Sequence, residues 1–318
     1  MLIFSPGSIK RSRCEKDTRR TSRLTFLALV ALAVCTASAR GEERPQELRV
    51  LNWNIWNGGD EAKKTSDPAI KAAKQKRVVD VIEESGADVV TMVETYGSGE
   101  VISKGLGFHF LPRGTNVSIH SRWPVKKDLS VYKPFHCVGA LIERPDGKQF
   151  AVFSVWIHYV DDIWTDPHSR DGRDAADLLA KDGPSRVVEI REILAGIREK
   201  TADLKGVPVI LAGDFNSNSH LDYVEEARSQ YGLVAEWPVT KAVADAGFRD
   251  SYRVCNPAID RAKDRTWTPL FPEQIQDRID FIYWKGDALK PRESRMIDRH
   301  ANRWPSDHSA VLTVFDWP

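Results

Sequence analysis

Six short segments of this 318-residue chain carry side chains able to handle a proton, a hard cation or an oxyanion. The most pointed is Val207-Pro208-Val209-Ile210-Leu211-Ala212-Gly213-Asp214-Phe215-Asn216. Its apolar stretch is too short for a helix and rich in Val and Ile, the signature of a buried strand. Asp214 and Asn216 are two residues apart, so strand alternation puts both on one side of its tip. An acceptor-only carboxylate beside a carboxamide suits a water nucleophile next to a developing oxyanion. The same residues also suit an Asx turn that merely closes a strand.

Four further segments share this plan, an apolar strand with an acid, amide or imidazole at or near its end: Leu51-Asn52-Trp53-Asn54, Val89–Glu94, Val155-Trp156-Ile157-His158 and Arg278-Ile279-Asp280-Phe281-Ile282. A sixth segment, Trp304-Pro305-Ser306-Asp307-His308-Ser309, sits just before the last strand instead. Singly, each has a plain structural reading. Asn54 suits a turn, Glu94 a surface, His158 a satisfied core, Asp280 an ion pair with Arg278, and Asp307 a cap. Together, and in this order, they resemble the motifs of the endonuclease/exonuclease/phosphatase superfamily. That group includes pancreatic-type deoxyribonucleases, abasic-site endonucleases, neutral sphingomyelinases and inositol polyphosphate phosphatases. The resemblance runs from about Glu47 to the C-terminus, and Arg265-Thr266-Trp267-Thr268 resembles the usual lead-in to the Asp280 strand.

The resemblance implies a divalent-metal-dependent hydrolase of phosphoester bonds, and the residue types fit that chemistry. Such hydrolysis needs an activated water, neutralised equatorial oxygens and help for the leaving oxygen. Oxygen donors suit Mg²⁺, with Mn²⁺ as a substitute. On this reading Glu94 is the principal metal ligand, Asn54 stands beside it, and Asp307 adds an oxygen directly or through water. Asp214 orients and deprotonates the water, and Asn216 donates to a phosphoryl oxygen. His308, as imidazolium, contacts the scissile phosphate, with Asp280 orienting it and raising its pKa. His158 sits where deoxyribonuclease- and sphingomyelinase-like members carry a histidine available to the phosphate or leaving group.

The substrate stays open between nucleic acid, a phospholipid head group and a sugar or inositol phosphate, with a phosphodiester expected ahead of a phosphomonoester. A nuclease needs an Arg- or Lys-lined groove, and no basic cluster flanks the motifs. Trp164 and Trp304 offer aromatic surface to a base or a lipid alike. A non-catalytic module on the same scaffold predicts loss of Asp214, Glu94 or His308, and all three are present. A zinc metallophosphatase predicts clustered histidines, whereas only two of the 8 lie in these segments.

The elements that must position these groups follow from periodicity. Glu47–Trp56 reads as a strand ended by the turn Asn57-Gly58-Gly59. Pro68–Ser85 has helical spacing of Ile70, Val78, Val81 and Ile82, with Gly86 as its cap. Ala87–Glu94, Phe108–Arg113, Val117–His120, Phe135–Glu143 and Gln149–His158 read as strands, the last two joined by Asp146-Gly147. Residues 159–186 are polar and form the expected substrate-facing insertion, carrying Trp164, His168, Arg170 and Arg173. Val187–Lys200, Leu221–Gln230 and Thr240–Ala246 read as helices, and Asp277–Trp284 and Ala310–Phe315 as strands. Strands and helices mix without strict alternation. That predicts an α+β fold, a four-layer α/β-sandwich with two mainly antiparallel sheets face to face and helices outside.

The bulk properties set the boundaries. Residues 1–39 combine a basic segment, the apolar run Leu24–Val34 and an Ala-x-Ala site ending at Ala39, which reads as a signal peptide and predicts export to the periplasm or medium. The apolar run is far short of the ~20 residues of a membrane span. Residues 40–46 are a lead-in and 47–318 one catalytic domain. Cleavage leaves 39 basic and 43 acidic residues, a net charge of −4, which argues against a scaffold that holds nucleic acid by bulk charge. Cys137 and Cys255 remain, and an oxidising compartment would let them pair. No segment points to a protein partner.

Overall fold

The computed structural model describes residues 46–159 and 174–318. The expected signal peptide and Trp164, His168, Arg170 and Arg173 lie outside the described residues. Twelve strands run through the described residues: β1 (Glu47–Asn54), β2 (Val89–Val93), β3 (His109–Arg113), β4 (Val117–Ser121), β5 (Val125–Asp128), β6 (Cys137–Glu143), β7 (Gln149–Trp156), β8 (Val209–Asp214), β9 (Arg249–Asp250), β10 (Asp280–Lys285), β11 (Lys290–Ile297) and β12 (Ala310–Asp316). Seven α-helices accompany them: α1 (Pro68–Ser85), α2 (Gly99–Leu106), α3 (Ala175–Asp182), α4 (Val188–Thr201), α5 (Arg228–Tyr231), α6 (Pro238–Asp245) and α7 (Ser251–Cys255).

The strands form two six-stranded sheets, ordered β11-β12-β1-β2-β4-β3 and β5-β6-β7-β8-β10-β9. Each is antiparallel except for one pair, β1 with β2 and β7 with β8. A parallel pair needs a helical crossover, and α1 and α4 supply the two. Val50, Val89, Ile119, Val152, Ile210 and Ile282 pack between the sheets. Leu51, Val90 and Met92 face Val78, Val81 and Ile82 of α1, while Leu211, Phe281 and Tyr283 face Ile190, Ile193 and Ile197 of α4. The layers are therefore helix, sheet, sheet, helix, as the sequence predicts.

Alternation within these strands sets the site. Asn52 and Asn54 are in phase with Val50, Asp214 with Ile210 and Ala212, and Asp280 with Ile282 and Trp284, all on the inter-sheet side. Each fully buried Val, Leu, Ile or Phe contributes about 1.5–3 kcal/mol, so a one-residue slip that turns these runs outward is prohibitive. The polar tips are thus held by the apolar residues behind them. Asn52 links the sheets, its Nδ2 donating to the Gly213 carbonyl at 3.0 Å. Any side chain at Gly213 would meet the Val155 carbonyl oxygen at 1.9 Å, which is why that strand carries glycine.

Several elements differ from the sequence expectation. Leu221–Gln230 is not a continuous helix. Only a short 3-10 turn, Glu225–Ala227, leads into α5, because Asp222 and Tyr223 are spent on buried bonds to Arg278, Arg253 and Asp277. Edge strand β11 escapes a hydrophobic pattern because Lys290, Arg292, Glu293 and Arg295 interrupt it. Part of the polar insertion is helical, with Leu178 of α3 fully buried. Cys137 and Cys255 are both free thiols. Among the described residues, no helix is long and apolar enough to cross a membrane.

Candidate active site

Asn54, Asp214, Asp280 and His308 converge at the tips of β1, β8 and β10 and in the loop before β12. His308 Nδ1 donates to Asp280 Oδ2 at 2.8 Å, and its Nε2 lies 4.0 Å from both Asp214 Oδ2 and Asp307 Oδ1. Asn54 Nδ2 donates to Asp214 Oδ2 at 3.1 Å and to Glu94 Oε1 at 3.2 Å. These two carboxylates use both amide protons, so the 3.3 Å approach of Asn54 Nδ2 to His308 Nε2 is packing rather than a third bond. Arg278 does not pair with Asp280; it turns to Asp222 and Asp250.

The opening motif is both an Asx turn and a site. Asp214 Oδ1 accepts from Asn216 N at 2.9 Å, which closes the turn, while Oδ2 faces Asn54 and His308. Asn216 takes a left-handed φ of 43°, and its Nδ2 donates to the Ile157 carbonyl at 2.8 Å. One amide proton remains for another acceptor. The side chain of Arg186 bonds the Asn216 carbonyl from behind.

Glu94 also has a left-handed φ, 57°, a conformation that costs a non-glycine residue about 1–2 kcal/mol. Asn116 holds it there, its Oδ1 accepting from Glu94 N at 2.8 Å and its Nδ2 donating to the Phe135 carbonyl at 3.0 Å. Glu94 Oε2 accepts from Asn57 N at 2.9 Å. Asp307 Oδ1 is buried with no hydrogen-bond partner, and so is Asp280 Oδ1. The loop carrying Asp307 and His308 is fastened by Ser306, Thr268 and two tryptophans. Ser306 Oγ donates to the Asn54 carbonyl at 2.6 Å, and Thr268 Oγ1 to the Asp307 carbonyl at 2.5 Å. Trp53 and Trp304 both donate to the His308 carbonyl. Trp304 is therefore a buried support and not a substrate surface. Thr266 Oγ1 receives the backbone N–H groups of Ile279 and Asp280, which gives the lead-in segment its purpose.

Burial and neighbouring charge shift the titrations. Burial lifts Asp214, and the Asp280 charge adds to it, to about 8. Burial likewise raises Asp307 to about 7, with Glu94 pushing the same way and His308 against it. Burial alone would depress His308, but Asp280, Asp214 and Asp307 outweigh it and raise the imidazole to about 10. The site is an excess of carboxylates around one imidazolium. Asp214, Asp280 and His308 are close enough to share a cation. A charged His308 bound to Asp280 is not a metal ligand, however. Glu94, the Asn54 oxygen and the orphaned Asp307 Oδ1 are the hard donor set that fits a divalent ion.

A cleft of about 350 Å³ opens over these groups, floored by Glu94, Asp214, Asn216, Asp307 and His308 and walled by Trp56, Trp156, Tyr159 and Trp267. His158 is not among the described residues that line it. It stands between Trp156 and Tyr159, with its Nδ1 on Glu189 Oε2 at 2.6 Å. Seven of the eight expected residues thus gather around the cleft or its floor, and His158 stands just behind. Asn116, Arg186 and Glu189 escape sequence reading, since no local pattern marks them, and Trp267 is reached only as part of the lead-in segment.

The match to a model of the endonuclease/exonuclease/phosphatase family spans residues 51–308. An uncharacterised Caenorhabditis elegans protein is 24% identical over 325 residues, covering 92% of this chain and 98% of its own. Among solved structures, an endonuclease/exonuclease/phosphatase family protein from Bacteroides thetaiotaomicron has a TM-score of 0.58 at 16% identity, covering 87% of this chain and all, 100%, of its own. D. rerio TDP2 in complex with a single-strand DNA product has a TM-score of 0.57 at 16% identity, covering 85% and 99%. A mannosyl-6-phosphatase from B. thetaiotaomicron has a TM-score of 0.57 at 17% identity, covering 85% and 100%. At such identities the structures speak to fold alone, whereas the family model covers the strand-end motifs from Leu51 to His308, so the chain belongs to the endonuclease/exonuclease/phosphatase family.

Proposed function

We propose that this protein is an exported, divalent-metal-dependent phosphoesterase that acts as a phosphodiesterase through a water activated by Asp214. The observation that carries the reading is the incomplete charge matching of the site: buried Asp307 Oδ1 has no hydrogen bond, and both it and Asp214 Oδ2 face the one imidazole of His308 across 4.0 Å. A Mg²⁺ ion, held by Glu94, Asn54 and Asp307, would neutralise phosphoryl and leaving oxygens. Asn54 Oδ1 accepts from Trp56 N at 3.0 Å and has a second lone pair for that purpose.

The chain's own groups divide the remaining work. Asp214 Oδ2 takes a proton from the attacking water, a task that its raised pKa favours once the carboxyl is ionised. His308, kept protonated by Asp280, donates to a non-bridging oxygen, and Asn216 Nδ2 offers its free proton to another. The supports behind these groups hold them before substrate arrives, which is where electrostatic catalysis gains its advantage.

A second reading, a phosphomonoesterase of compact sugar or inositol phosphates, is favoured by the cleft. It measures about 350 Å³, has aromatic walls, and has no Lys or Arg among its described lining residues. The signal-like residues 1–39 support export. Both readings are tested by kcat/KM for purified protein on plasmid DNA, RNA, sphingomyelin, inositol phosphates and sugar phosphates. Preference for a diester supports the first and for a compact monoester the second; no turnover of any phosphoester with Mg²⁺ or Mn²⁺ present overturns both.

A further inference from the structure

Helix α4 presents Ile190, Ile193 and Ile197 to the core, yet Glu189 beside them is also buried, only 3% exposed. An acid on an apolar helix face needs a reason. Its reason is two imidazoles. His158 Nδ1 donates to Glu189 Oε2 at 2.6 Å, and His136 Nδ1 lies 2.5 Å from Oε1. The second contact is an ion pair rather than an aligned bond, because the His136 proton is also drawn to the Trp156 carbonyl at 3.1 Å. A carboxylate only accepts, so both rings carry their proton on Nδ1, and His158 is left with Nε2 as its free end.

The cluster reaches both halves of the site. His158 N donates to Glu189 Oε2 at 3.3 Å. Next to it, Ile157 N donates to the Asp214 carbonyl at 2.9 Å and the Ile157 carbonyl accepts from Asn216 Nδ2. The end of β7 is therefore pinned by Asp214 and Asn216 on one side and by Glu189 on the other. In the other direction, His136 is bonded to the Trp156 backbone through both its carbonyl and its ring. Its neighbour Phe135 receives Asn116, which holds Glu94 N.

We propose that Glu189 is a positioning residue of the active site, acting through His158: its carboxylate, gripped by His136 on the far side, fixes the tautomer and orientation of the His158 ring beside the cleft-lining Trp156 and Tyr159. This rests on the phosphoesterase reading for its catalytic consequence, while the geometry of the ring stands apart from it. The charge state agrees. Burial alone would raise Glu189, but His136 and His158 outweigh it and hold the carboxyl low. Burial would depress His136, and Glu189 outweighs both that and the opposing Lys133.

The test is a double-mutant cycle of Glu189→Gln and His158→Ala with bis(p-nitrophenyl) phosphate and Mg²⁺, joined to ¹⁵N NMR of the histidine rings. Glu189→Gln is expected to lower kcat about 10- to 100-fold with KM within about twofold, the size of loss seen when an orienting hydrogen bond is removed. In the His158→Ala background the same change should cost less than about twofold, because the residue through which it acts is gone. The His158 ring should carry its proton on Nδ1 in the parent and lose that preference in Glu189→Gln. If Glu189→Gln does not fold, His136→Gln carries the same cycle with a loss of about three- to tenfold. Unchanged kcat, losses that add across the cycle, or an unaltered His158 tautomer would each overturn the proposal. A parent without phosphoesterase activity would sink the functional reading instead, and the NMR signature would still decide whether Glu189 fixes the ring.

Discussion

Two groups of buried charge stand near the same strand ends and are matched differently. Before β10, Asp222, Asp250 and Asp264 face two guanidinium groups. Arg278 bonds Asp222 Oδ1 at 2.7 Å and Asp250 Oδ2 at 2.5 Å, and Arg253 bonds Asp222 Oδ1 and Asp264 Oδ2 at 2.8 Å each. At the cleft, Asp214, Asp280 and Asp307 share one imidazole, and Asp280 Oδ1 and Asp307 Oδ1 are buried without a hydrogen bond. The first group, three carboxylates against two guanidinium groups, leaves no buried side-chain atom without a hydrogen bond and joins the segments around Asp222, Asp250 and Asp264 to the strand that carries Asp280. The second lacks positive charge, which a divalent ion would supply. Buried charge alone therefore does not mark function; incomplete matching at a cleft does.

Substitutions should separate the two groups. Asp214→Asn is expected to reduce kcat by about three to four orders of magnitude, the range of a lost general base, while thermal stability holds or rises. If turnover stays near the parental rate, Asp214 does not handle the water. Arg278→Met leaves Asp250 without its guanidinium and Asp222 with Arg253 alone, and should destabilise the fold by about 3–5 kcal/mol, measured by urea unfolding. Retention of full stability would show that the arginine-matched group is not structural. Asp307→Asn should weaken Mg²⁺ affinity by about tenfold or more in isothermal titration while leaving the apo protein as stable as the parent. Unaltered affinity would remove Asp307 from the ligand set.

The smallest effect is one of pH. His308 holds its proton to about 10 in the fold against 6.5 unfolded, so its stabilisation is complete below about 6.5 and is lost as pH rises towards 10. Asp214 keeps its proton to about 8 against 3.8 unfolded, so its ionisation also lowers stability as pH rises through that window. The metal-free melting temperature should therefore fall between about pH 6.5 and 10, and His308→Ala should flatten the fall. Added Mg²⁺ should restore more at the alkaline end, because it binds ionised carboxylates. A melting temperature that climbs over this range would contradict the charge assignment.

Much of this site is legible in the amino-acid sequence, for a physical reason. Asn54, Asp214 and Asp280 ride on strands whose apolar residues fix the register, so period two places them. Asp307 and His308 occupy a loop, and only the resemblance gave them a role. Their positions depend on Trp53, 255 residues away in sequence from His308, and on Ser306 and Thr268. Asn116, His136 and Glu189 were not legible at all, because long-range contacts define them and a buried acid on an apolar helix face has no periodic signature. Trp304 read as a substrate surface and instead packs at a tilt of 36° against Trp53, with ring centroids 4.9 Å apart. The helix expected at Leu221–Gln230 gave way to the side-chain bonds of Asp222 and Tyr223.

The central claim is that the under-matched carboxylates at the cleft work with a divalent ion on a phosphoester. Hydrolysis of bis(p-nitrophenyl) phosphate by the purified protein in EDTA, then with excess Mg²⁺, tests it most directly. The expected result is no turnover above background in chelator, recovery with Mg²⁺, and no recovery for Asp214→Asn. Turnover that persists in EDTA at the rate seen with Mg²⁺ would contradict the account.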